Sequence, residues 1–77
     1  MRLQDAVGDT VRKIRMEQGQ SLRDVSPYIS IGHLSAIELG YKQVSWDVLS
    51  KVCEGLNITP ADFLMEVANY IKENPNV

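Results

Sequence analysis

Apolar residues recur along the chain at steps of three and four, and five stretches carry this spacing. That is the period of a helix with one face turned inward, and no stretch alternates polar and apolar long enough to make a strand. In the first stretch Leu3, Val7, Val11 and Ile14 share a face, predicting a helix over 4–18 that Gly19 stops. The second opens at Ser21-Leu22-Arg23-Asp24, a serine with an acid three residues on, which is the pattern of a capping box. Leu22 and Val25 supply its apolar step, and the expected helix spans 22–28. Pro27 disfavours a helical conformation in the residue before it, so this helix is short, distorted or restarted at the proline.

A third helix is expected over 31–39, capped by Ser30 and stopped by Gly40. Leu34 and Ile37 face inward, and His33 and Ala36 project the other way. Gly32 weakens this helix by about 1 kcal/mol relative to alanine, a cost that a close backbone approach from outside would offset. The fourth helix, 46–56, is capped by Ser45, ended by Asn57 and lined by Val48, Leu49, Val52, Cys53 and Leu56. The fifth, 60–73, starts at Thr59-Pro60-Ala61-Asp62, with a cap, a proline in the first turn and an acid three beyond the cap. Phe63, Leu64, Val67, Tyr70 and Ile71 form its stripe, and the tail Asn74 to Val77 is expected to fray.

Seventy-seven residues predict one all-α domain with a marginal core. A chain of this size has little room for an internal active-site cleft and gains from a partner that covers more apolar surface. No apolar run is long enough to span a membrane, and Gln4 and Asp5 right after Arg2 do not read as a signal peptide. The expected location is cytoplasmic. The net charge is −2, yet its distribution is uneven. Residues 1–44 carry six basic and five acidic groups, and residues 45–77 carry two basic and five acidic ones. The front half can face phosphates and the back half cannot.

Catalytic chemistry finds no footing. One His and one Cys make neither a nucleophile system nor a metal site, and no glycine-rich phosphate loop is present. Cys53, between Val52 and Leu56, reads as a small buried apolar residue. Asp24 and Glu38 read as a cap and an ion-pair member. Neither an enzyme nor a cofactor is expected. What remains is geometry: a short capped helix, a tight connection, and a helix ending in glycine, an arrangement that fits a major groove or simply packs a core.

The string Gly19-x-Ser21-Leu22-Arg23-Asp24-Val25, then Ile31-Gly32-His33-Leu34-Ser35-x-Ile37-Glu38-x-Gly40, then Ser45-x-x-x-Leu49, resembles the Cro/repressor, or Xre, helix-turn-helix family. The likeness covers about residues 5–67, and with Lys42 and Cys53 it is most similar to the actinobacterial Clp-protease gene regulators. The resemblance implies a five-helix lambda-repressor-like domain whose second and third helices bind double-stranded DNA. It places Ile31, Gly32, His33 and Ala36 toward bases or groove. It places Arg23, Ser30, Ser35, Lys42 and Gln43 toward phosphates, and pairs Arg15 with Glu38 to tie the first helix to the recognition helix. The stretch from Val25 to Gly32 is about two residues shorter than the family pattern and holds Pro27, so the second helix or the turn must be remodelled. Leu39 stands where the family usually has a polar or basic residue. With no Arg, Lys, Asn or Gln on the recognition helix, thymine-methyl contacts, His33 and groove shape would carry more of any specificity.

A domain with so few cations is expected to act as a homodimeric regulator on a roughly palindromic site, pairing through Phe63, Val67, Tyr70 and Ile71 of the fifth helix. The alternative is an Xre-like module that has lost DNA binding and meets a protein partner through Ile31, Leu39, Tyr41 and Trp46.

Overall fold

Five helices follow one another in the computed structural model, which describes residues 2–25 and 27–74: α1 (Leu3–Glu17), α2 (Leu22–Val25), α3 (Ile31–Glu38), α4 (Trp46–Leu56) and α5 (Pro60–Glu73). No strand occurs among the described residues. Helix starts are set by side chains that satisfy otherwise orphaned backbone N–H groups. The Ser21 N–H donates to Asp24 Oδ2 at 2.7 Å, and the Asp24 N–H donates back to Ser21 Oγ at 3.3 Å. Ser30, Ser45 and Thr59 accept from the N–H groups of His33, Val48 and Asp62.

Two stops share one geometry. Gly19 and Gly40 take positive φ, +68° and +78°, and the residue after each donates back into its helix: Gln20 to Arg15 O and Tyr41 to Ala36 O, both at 2.9 Å. Asn57 plays the glycine part after α4, at φ 54°, with the Ile58 N–H on Cys53 O.

The core is Ala6, Val11, Ile14, Val25, Ile29, Leu34, Ile37, Leu49, Val52, Cys53, Leu56, Phe63 and Val67. It lies where α1 packs against α3, α4 and α5, and α4 against α2 and α5. Three details differ from the sequence pattern. The buried side of α1 runs through Ala6, Thr10, Val11 and Ile14, while Leu3 at the helix end is exposed. Thr10 satisfies its hydroxyl by donating to Ala6 O at 2.7 Å. Helix α2 ends at Val25 and does not reach 28: Pro27 and Tyr28 form a turn, closed by the Tyr28 N–H on Val25 O at 3.1 Å. Finally, Phe63 and Val67 lie inside the molecule, 0% and 5% exposed. They fill the space between α1 and α4, so neither is available as a pairing surface. Of the tail, 75–77 lies outside the described residues.

Candidate nucleic-acid interface

Helix α3 is held from one side and bare on the other. Leu34 and Ile37 turn inward and are fully buried. Ile31 and Gly32 are exposed, and His33, Ser35 and Ala36 are half-buried on the outward side. Ser30 spends a lone pair on the cap and keeps its hydroxyl proton to donate. Arg23 is exposed on α2, across a shallow groove that Arg15, Ser21, Leu22 and Ile31 also line. Lys42 and Gln43 are exposed in the connection between α3 and α4. Arg23 and the first residue of α3 thus share one groove, whereas Gln43 lines a separate one with Leu3, Gln4, Val7 and Val44.

The bracing of α3 comes from α1, at three levels. Near the end of α1, Arg15 reaches Glu38 with two bonds, Nε to Oε2 at 2.8 Å and Nη2 to Oε1 at 3.0 Å, and donates a third to Gln20 O at 2.9 Å. Both side chains are mostly shielded, 14% and 8% exposed, so this forked pair works where water weakens it little. Its hydrogen bonds to Glu38 raise the Arg15 pKa further above its usual value. In mid-helix, Gly8 sits flat against the last turn of α3, where an added Cβ would lie 2.2 Å from Ile37 O. At the start of α1, Arg2 Nη2 and Gln4 Nε2 both donate to Gly40 O, at 3.1 and 2.7 Å. Arg2 is itself held by Asp5, and its hydrogen bond keeps the Asp5 carboxyl below the usual carboxylate range.

Sequence reading took Gly40 as a helix stop and missed what grips it. Arg2 and Gln4 act across 38 and 36 residues, and the only local trace is the Arg2-x-x-Asp5 spacing. Gly8 was equally silent, although a glycine inside a strong helix signals a close neighbour. On α5, Tyr70 donates its hydroxyl to Asp9 Oδ2 at 2.5 Å and rests with Ile71 at the core edge, half-exposed. That bond raises the Tyr70 pKa. Burial pushes the Cys53 thiol up, against any reactive role. Leu39, Tyr41 and Trp46 are exposed by 56%, 76% and 77%, leaving an apolar margin beside Lys42. Among the described residues no group of His, Cys, Asp and Glu could hold a metal ion, and no helix is long and apolar enough to cross a membrane.

A short α2, a turn and an α3 braced from behind by an Arg–Glu fork form a helix-turn-helix inside a lambda-repressor-like fold, the class of the helix-turn-helix transcriptional regulators. The fold superposes on the clp gene regulator ClgR from Corynebacterium glutamicum with a TM-score of 0.88, at 33% identity, over 99% of this chain and 83% of that one. It also superposes on a restriction-modification controller protein (TM-score 0.85, 92% of this chain, 94% of that one), but at 22% identity that likeness speaks for the fold alone. In sequence, the chain is 43% identical over 58 residues to the transcriptional regulator ClgR of Mycobacterium tuberculosis, which covers 73% of this chain and 52% of that protein. The chain belongs to the ClgR family of transcriptional regulators. It spans about half the length of the curated relatives it matches. No family model matches it.

Proposed function

We propose that the chain is a sequence-specific DNA-binding regulator that lays α3 in a major groove. The observation that carries this reading is the three-level bracing of α3 by α1, which ties the helix to α1 and leaves Ile31, Gly32, His33 and Ala36 off the braced side. A core element needs no such splint, whereas a helix that reads base edges must keep its register. Arg23, Ser30, Ser35, Lys42 and Gln43 carry donors suited to phosphate oxygens. The target class suggested by the relatives' names is the control region of clp genes.

Pairing about a two-fold axis is the second part of the proposal. Six basic groups in the front half are few, and two half-sites about one helical turn apart multiply a weak contact. With Phe63 and Val67 inside, the pairing face moves to the outward side of α5. There Leu64 is 47% exposed, with Ala68 and Ile71 at helical spacing on the same side and Tyr70 beside them. The exposed Tyr41 and Trp46 favour a second reading, a module that meets a protein partner.

Selection of duplexes from a random pool by the wild-type chain separates the two. The DNA reading predicts enrichment of an inverted repeat with half-site centres about 10 base pairs apart. A pool that stays random after repeated rounds contradicts it and favours the protein partner.

A further inference from the structure

The chain has five glycines, and four of them have a reason inside the molecule. At Gly8 an added Cβ would lie 2.2 Å from a backbone oxygen of α3, and at Gly55 it would lie 2.5 Å from Val25 Cγ1. Gly19 and Gly40 take positive φ, which side chains resist, and Gly40 is also closed off by Asp5. Gly32 has neither reason. Its backbone is ordinary helix, in the first turn of α3, and an added Cβ would meet nothing within 4 Å. Glycine there makes α3 less stable than alanine would, and nothing in the fold gains from it.

We infer that Gly32 is the point of closest approach between the protein backbone and DNA, and that its missing side chain is what lets α3 seat at groove depth. The inference rests on the DNA-binding reading and deepens it. Gly32 stands between Ile31, which is 40% exposed, and His33, whose N–H is held by the Ser30 cap. The next residues along the outward side are Ser35 and Ala36, both short. A recognition helix without Arg, Lys, Asn or Gln cannot reach base edges with long side chains, so its backbone must come close for Ile31, His33 and Ala36 to touch them. A methyl group at position 32 would hold the helix off the groove floor. Phosphate contacts from Arg23 and Lys42 would survive, since they approach from the flanks.

The test compares Gly32→Ala and Gly32→Gln with the wild type in two measurements. One is thermal unfolding. The other is affinity for the duplex selected by the wild type and for a random-sequence duplex of equal length. Gly32→Ala is expected to melt about 4 °C higher, to lose tenfold or more on the selected duplex, and to bind random duplex within about twofold of wild type. Gly32→Gln should lose at least as much on the selected duplex, despite its polar reach. If the wild type selects a duplex and Gly32→Ala binds it as well as wild type does, the inference fails while the DNA reading stands. If the wild type selects no duplex, the DNA reading fails and the inference with it. A Gly32→Ala that melts lower overturns the premise that nothing inside the molecule requires the glycine.

Discussion

Arg15 on α1 and Glu38 at the end of α3 face each other as a fork, with bonds of 2.8 and 3.0 Å, both side chains mostly out of water. Removing one partner leaves the other charge shielded and unpaired. Arg15→Ala should therefore cost about 3 kcal/mol, read as a fall in denaturant midpoint at unchanged slope. Replacing both, Arg15→Met with Glu38→Leu, should recover most of that loss, because the desolvation of two ions is then avoided. The recovered double variant is still expected to bind DNA more weakly than wild type, since an apolar contact fixes the angle of α3 less tightly than a fork. Equal binding would reduce the pair to a stability element.

Gly8→Ala should act opposite to Gly32→Ala. Its Cβ would lie 2.2 Å from Ile37 O and 3.1 Å from Glu38 O, so α1 and α3 must part. Overpacking of this kind costs about 2 kcal/mol, more than alanine returns to the helix. A melting temperature at or above wild type would show that the two helices can move apart freely.

Acid should loosen the grip on Gly40. The hydrogen bond from Arg2 holds the Asp5 carboxyl below the usual carboxylate range. A group with a depressed folded pKa contributes stability that is present above its unfolded pKa and lost as pH falls through the folded one. The contribution is thus full at neutral pH and fades below about pH 4. Asp5→Asn should flatten the acid limb of a stability-against-pH curve relative to wild type and leave its neutral-to-alkaline shape unchanged. The same acid slope in both proteins would place the loss elsewhere. The effect is small, because the pair is exposed on the Arg2 side, at 65%.

The outward side of α5 is the proposed pairing face. Leu64→Lys puts a charge on a position 47% exposed, where the folded monomer tolerates it. Sedimentation equilibrium should show the variant shifted toward monomer at concentrations where wild type is dimeric, with melting of the monomer little changed. An unaltered dimer would move the interface off this face.

Much of this was legible in the sequence, for a local reason. Ser21 with Asp24, Ser30, Ser45 and Thr59-Pro60 begin helices through bonds that span three residues, and Gly19 and Gly40 end them through a single dihedral angle. Such signals need no knowledge of the rest of the chain. The end of α2 was harder, because Pro27 permits either a restarted helix or a turn, and burial of Ile29 decides. The stripe on α5 told that Phe63 and Val67 are apolar in phase, but not whether this chain or a second copy covers them; α1 and α4 do. The clasp of Arg2 and Gln4 on Gly40 joins residues more than thirty positions apart, so no periodicity announces it. The forked Arg15–Glu38 pair spans 23 residues, and only resemblance to a family pointed to it.

The most direct measurement is a salt series of binding to random-sequence duplex DNA, wild type beside Arg23→Ala. Groove binding through α3 requires binding at low salt that weakens linearly on a log–log plot with the slope of several released counterions, and a slope shallower by about one for Arg23→Ala. No binding at low salt, or binding indifferent to salt, would contradict it and leave the helix-turn-helix as a shape turned to a protein partner.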